Sequence, residues 1–189
     1  MASLTLITKA EKSDAAQIAL IGKENLLQNQ TGDLAKSGFL VRPINQALVE
    51  EFIADEKHIV LVAKQNDEVV GYLISCALTA LDGEILDAVL DLEEVQKTPL
   101  KKILYHKQIA KKSGTKNVGK PLVQGLIAEA KKQNFELIAC RIIHAPQNNE
   151  VSIALHTGLG FELQIEKQED EFLKGIYLLK LGKFSASIT

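Results

Sequence analysis

Two β-rich runs, "HIVLVAK" (His58–Lys64) and "EVVGYLISCAL" (Glu68–Leu78), are separated only by Gln65-Asn66-Asp67. Val/Ile-rich runs joined by so short a polar link predict an antiparallel hairpin. The chain must therefore contain a sheet, and the other segments must be arranged around it. Leu4 to Ile7 reads as a short first strand. Ser13-Asp14 offers a cap for a helix carrying Ala15, Ile18, Ala19, Ile21 and Leu26. Asn29 to Pro43 reads as loop, and Asn45 to Ala54 as a short helix with Leu48, Val49, Phe52 and Ile53 on one side.

After the hairpin, Asp82 to Gln96 is an acidic amphipathic stretch, with Ile85, Val89, Leu92 and Val95 as its apolar side. A strand follows at Ile103 to Ala110. Beyond Pro121, the residues Leu122, Val123, Leu126, Ile127 and Ala130 fall on one face of a helix. "FELIACRII" (Phe135–Ile143) is strand-like, and "NNEVSIALHTGL" predicts a helix capped by Asn149 and stopped by Gly160. Strands around Phe161–Glu166 and Lys174–Leu181 complete the order. Strands alternating with helices in this way predict an α/β sheet of mixed direction covered by helices.

The 189 residues are expected to form a single domain, 1–189. The balance of 22 basic against 24 acidic residues gives no basic excess, which argues against a nucleic-acid partner. No apolar run is long enough to span a bilayer, and the N-terminus lacks a basic start followed by an apolar core. The expectation is a soluble cytoplasmic protein without a membrane partner. Cys76 and Cys140 lie in apolar stretches without metal-ligand spacing and read as core thiols.

The stretch "KKSGTKNVGKPLV" (Lys111–Val123) comes one residue short of a nucleotide-triphosphate loop, with Gly114, Gly119 and Lys120 at the required spacing. Where such a loop has the Ser or Thr that holds Mg²⁺, this chain has Pro121. No apolar strand downstream ends in an assisting Asp. A loop between a strand and a helix N-terminus still presents free N–H groups and a favourable dipole to an anion. Asn117, Gly114 and Gly119 allow the backbone to come close to a phosphate. The loop is thus either a phosphate site of another kind or a plain turn.

About thirty residues later, "NNEVSIALHTGLGFE" spaces Asn149, Ser152, Leu155, His156, Gly160 and Phe161. Here the sequence resembles the GNAT superfamily of acyl-CoA N-acyltransferases. That family pairs an Arg/Gln-x-x-Gly-x-Gly/Ala loop with a later Asn-x-x-Ala/Ser-x-x-Leu-Tyr/His-x-x-x-Gly-Phe helix. Pro146, Asn149, Ser152 and His156 follow its His-bearing variant, and Gly71 lies in a hairpin like the family's second and third strands. The likeness runs from about Ile59 to Leu181. The loop departs from the pattern, with Gly114 in the Arg/Gln place and Asn117 in the place of the first Gly.

The resemblance implies a mixed, largely antiparallel central sheet flanked by helices and splayed at strands 4 and 5. It implies an N-acetyltransferase using acetyl-CoA, or another acyl-CoA, with no metal, and a small-molecule or peptide amine as acceptor; homodimerisation is left open. Ile109, Ala110 and Lys111 would run beside the pantetheine. Lys116, Asn117, Val118, Gly119 and Lys120 would hold the pyrophosphate, and Asn149 and Ser152 would face the cofactor arm. His156 takes the place of the acid that protonates the departing thiolate, a role that needs a raised pKa or else reduces to positioning the sulfur. For the base, the fourth strand offers Tyr105 and His106, of which strand alternation lets only one face the site, and no carboxylate; His144 is a further candidate, and His58 reads as structural. The alternative is a GNAT-fold module that binds acyl-CoA without turnover. If the acids of Asp82–Gln96 lined the cleft, a cationic acceptor such as a polyamine would be favoured.

Overall fold

The computed structural model describes residues 4–30, 38–81 and 83–182. Seven strands form one sheet: β1 (Leu6–Lys9), β2 (His58–Gln65), β3 (Glu68–Ala77), β4 (Ile103–Lys111), β5 (Leu137–Ala145), β6 (Glu162–Glu169) and β7 (Phe172–Lys180). Their spatial order is β1-β2-β3-β4-β5-β7-β6, antiparallel throughout except for the parallel pair β4–β5. The hairpin is present as read: Asn66 and Asp67 both have positive φ, 50° and 64°, and form the two-residue turn that matches strand twist.

Six α-helices are described: α1 (Ala15–Glu24), α2 (Gln46–Ala54), α3 (Gly83–Leu90), α4 (Glu93–Gln96), α5 (Gly119–Lys132) and α6 (Glu150–Thr157). On one face of the sheet, Leu122, Val123, Leu126 and Ala130 of α5 pack on Leu61, Leu73, Leu104 and Ile138. On the other face, Ile18, Ile21 and Val49 of α1 and α2 cover Val60, Val62, Tyr72 and Ile74. Next to them, Ala88, Val89 and Val95 of α3 and α4 cover Cys76, Ile103, Tyr105 and Ala139. Both cysteines are buried, and burial pushes the Cys76 thiol up to about 11.

Several boundaries differ from the sequence reading. The first strand starts at Leu6 rather than Leu4. Asp14 does not cap α1; its carboxylate accepts from the N–H of Glu11 at 2.9 Å, closing a 3₁₀ turn, and pairs with Lys64 at 2.8 Å. Asn45 does cap α2, accepting from the N–H of Leu48 at 2.9 Å. The acidic stretch is two helices, because Leu92 takes an extended conformation that turns its side chain into the core. Asp82 and residues 31–37 of the expected loop lie outside the described residues.

The sheet opens between β4 and β5. Their pairing covers only Ile103–His106 against Leu137–Cys140, and no register continues it. The ladder of β4 with β3 slips at the same point: Ser75 pairs with His106 and Ile74 with Gln108, which leaves Lys107 bulged. A bulge sharpens the local bend and terminates regular pairing. The expected splay at strands 4 and 5 is therefore present.

Candidate active site

A cleft of about 370 Å³ enters the sheet at this splay. It is bounded by the second half of β4, the loop before α5, the start of α6, the middle of β5 and residues 38–42. Tyr105, His106, Ile109, Ala110, Lys111, Asn117, Val118, Gly119, Lys120, Asn149, Ser152 and His156 all line it. Of the expected cofactor-binding residues, Lys116, which is exposed, does not line it.

The strand edge has a defined polarity. The N–H of Lys112 donates to the carbonyl of Val70 at 2.9 Å, so Ala110, two residues back, also turns its N–H and C=O toward β3. By the same alternation, Ile109 and Lys111 turn theirs toward the opening. The Lys111 carbonyl is already taken by the side-chain amide of Asn25 at 2.9 Å. The N–H and C=O of Ile109 and the N–H of Lys111 thus face the gap, whereas Ala110 contributes surface and no backbone hydrogen bond.

The loop is shaped by Gly114 and Asn117, both left-handed at φ 79° and 58°, and is held by the Thr115 hydroxyl on the carbonyl of Lys112 at 2.6 Å. Val118 is fully buried and anchors the loop in the core. Gly71 makes room for it: a Cβ there would lie 2.5 Å from Val118 Cγ1. Among the described residues no side chain caps the start of α5, so the Gly119 and Lys120 amides remain open to an anion. Pro121 has no N–H to offer.

His156 is 1 % exposed and sits across from His106, with ring centroids 5.3 Å apart. Its Nδ1 lies 2.7 Å from the Ser152 carbonyl, one turn back along α6. A carbonyl only accepts, so Nδ1 carries the proton, and in the neutral ring Nε2 has a bare lone pair. Nε2 is buried and has no hydrogen-bond partner among the described residues. Burial lowers the pKa, and the Ser152 carbonyl offsets this only in part. The acid expected at this position required a raised pKa. In the resting state His156 is instead a neutral acceptor.

His106 is pushed down to about 3, by burial first and by the neighbouring His156 second. At neutral pH so weak a base does not take a proton from an ammonium group. Strand alternation was expected to give the site either Tyr105 or His106. In the splay both reach the cleft, from opposite faces of the sheet: His106 beside His156, and Tyr105 among the residues under α3 and α4. Burial pushes the Tyr105 hydroxyl up to about 12, so it keeps its proton.

His144 does not line the cleft. It binds Glu166 and the Tyr177 hydroxyl and sits over Gly175, where a Cβ would lie 2.5 Å from its ring. His58 is structural, paired to Asp55 at 2.8 Å and stacked on Phe52. Asn149 has a role that the motif did not reveal. Its oxygen caps α6 and its amide donates to the carbonyl of Phe39 at 3.1 Å, fixing the wall formed by residues 38–42. The sequence reading also missed Arg42, Arg141 and Lys174, all in the cleft wall. The available signal was Arg141 itself, a charged residue inside the apolar strand "LIACRII".

In overall architecture the chain is similar to YncA of Salmonella typhimurium, solved with its cofactor acetyl-CoA. The identity is 19 %, over 96 % of each chain, with a TM-score of 0.68. The chain has the GNAT fold. A GNAT-family acetyltransferase of Streptococcus pneumoniae matches over 95 % of this chain and 100 % of its own, with 16 % identity and a TM-score of 0.63. The ribosomal-protein-S18-alanine N-acetyltransferase of Escherichia coli covers 98 % of this chain and 99 % of its own, with 14 % identity and a TM-score of 0.67. No protein-family model and no curated protein matches by sequence. Among the described residues, no helix of the GNAT fold is long and apolar enough to cross a membrane, and no three metal-ligating side chains are grouped.

Proposed function

We propose that the protein is an acyl-CoA-dependent N-acyltransferase that moves an acetyl group from acetyl-CoA to a primary amine. The observation that carries this reading is the splay. It leaves the N–H and C=O of Ile109 and the N–H of Lys111 open on the strand that leads into the loop before α5, whose start carries no side-chain cap among the described residues. An extended amide-bearing arm ending in a pyrophosphate requires that combination. Lys120 adds a cation at the phosphate end. Asn149 and Ser152 shape the wall beside the arm.

The chemistry asks for one new N–C bond, one broken C–S bond and the relocation of one proton. The amine nitrogen attacks the thioester carbonyl, whose developing oxyanion takes a hydrogen bond from an open N–H of β4. The adduct nitrogen becomes acidic on bond formation, and His156 Nε2 accepts its proton. The resulting imidazolium, an acid strengthened by burial, then gives that proton to the departing sulfur. The products are the amide and CoA thiol. His156 thus acts first as base and then as acid, without an initially raised pKa.

A second reading, an acyl-CoA-binding module without turnover, is favoured by one observation: no carboxylate is among the described residues lining the cleft. Thermal unfolding tests the shared premise. Acetyl-CoA at a hundredfold excess over its dissociation constant stabilises the fold by ~2.7 kcal/mol, and ATP with Mg²⁺ does not. Incubation with an amine panel then separates enzyme from module.

A further inference from the structure

Among the described residues, the charged side chains in the cleft wall are all cations: Arg42, Lys107, Lys111, Lys120, Arg141 and Lys174. Asp and Glu are absent from that wall among the described residues. The acids of α3 and α4, which would have favoured a cationic acceptor, do not reach it; from those helices only Ile85 does. Lys111 and Lys120 belong with the phosphate end, and Lys107 lies over the Phe52 ring, 4.4 Å from its centroid. Arg42, Arg141 and Lys174 remain without an assignment.

Arg141 and Lys174 are unusual because they are buried. Their side chains are 7 % and 11 % exposed, and both bind one carboxylate, Glu169, itself 11 % exposed. Glu169 is not in the cleft wall, so it holds the two cations from behind. Among the described residues the two buried cations share this one carboxylate, which leaves one positive charge uncompensated, a costly arrangement in a low-dielectric site unless an anion completes it. The Nε of Arg141 donates to the Tyr105 hydroxyl oxygen at 3.1 Å. The Tyr105 proton is then available as one more donor. Arg42 is close enough to act electrostatically on the same hydroxyl.

We infer that this wall binds an anion on the acceptor: the substrate is a small primary amine carrying a carboxylate or phosphate. This rests on the acyltransferase reading, which it makes specific. The anion completes the cluster formed by Arg141, Lys174 and Tyr105. The amine then points through the splay toward His156, which lies on the opposite face of the sheet. A polyamine is repelled by the same wall.

The test uses acetyl-CoA with glycine and O-phosphoethanolamine as anionic amines, tyramine as one without an anion, and spermidine as a polycation. The expected order of kcat/KM has an anionic amine first and spermidine last. Arg141→Met and Lys174→Met each raise KM for the preferred anionic amine roughly 10- to 100-fold, the scale of a lost charge-assisted hydrogen bond. Acetyl-CoA affinity, measured in each variant, reports that the fold and the cofactor end of the cleft are retained. A second arm needs no turnover: N-acetylglycine and O-phosphoethanolamine are titrated calorimetrically into the CoA-saturated protein. Binding that is lost in either variant supports the anion site even if no amine is acetylated, a result that removes only the enzyme reading. Preference for carboxylate or phosphate in this arm names the anion. Preference for tyramine or spermidine, unchanged KM in both variants, or no binding of either anion overturns the inference.

Discussion

His156 Nδ1 lies 2.7 Å from the carbonyl oxygen of Ser152, and this contact fixes which nitrogen of the ring holds the proton. Nε2, buried and without a hydrogen-bond partner among the described residues, is left as an acceptor.

The first consequence is a pH profile. With its pKa lowered by burial, His156 is neutral and competent above its folded value and loses its lone pair to a proton below it. At saturating substrates, kcat should stay level through neutral pH and fall only on the acid side of ~6.5, the ordinary histidine value. His156→Phe should reduce kcat by ~10²–10⁴-fold with acetyl-CoA affinity little changed. An acid limb above pH 7, or full activity in the Phe variant, contradicts the role.

The second concerns stability. His106 has a folded pKa of about 3 against ~6.5 unfolded, so between those values the unfolded chain binds the extra proton. Its neutral form therefore contributes stability that is fully present above ~6.5 and is lost as pH falls toward 3. The slope is at most ~1.4 kcal/mol per pH unit for this one group. Urea unfolding from pH 7 to 4.5 should show a shallower loss in His106→Gln than in the wild type. Equal slopes would mean that His106 is not held neutral.

A third prediction separates the loop from the strand. Gly71→Ala places a methyl 2.5 Å from Val118 Cγ1 and 3.2 Å from the Ala110 carbonyl, so Val118 must shift and take the loop with it. The expected cost is ~1–3 kcal/mol of stability, together with weaker CoA binding. At Gly119 an added Cβ meets only the movable Leu155 side chain at 3.2 Å. Gly119→Val should therefore keep most of the stability while weakening CoA at least ~10-fold, provided that the backbone there meets the pyrophosphate. Unchanged CoA affinity in both variants places the cofactor elsewhere.

Features of local origin were readable in the sequence. The Asn66-Asp67 turn, the Asn149 cap and the helical face of α5 each depend on a few consecutive residues. What the sequence hid depends on register between distant strands. The Lys107 bulge comes from a one-residue slip against β3, and it lets His106 and Ile109 face one side of the sheet while Gln108 joins Tyr72 on the other. The Arg141–Glu169–Lys174 cluster draws on three strands, and the Asn149–Phe39 bond spans 110 positions. His156 was visible as a residue, but its tautomer and lowered pKa depend on the packed helix around it.

The most direct test of the account is mass spectrometry of the amine after incubation with acetyl-CoA and the wild-type protein. The expected product is an amine bearing one acetyl group, formed one-for-one with CoA thiol and lost in His156→Phe. Tight acetyl-CoA binding with no acetylated amine across the panel, or CoA release matched only by acetate, contradicts it.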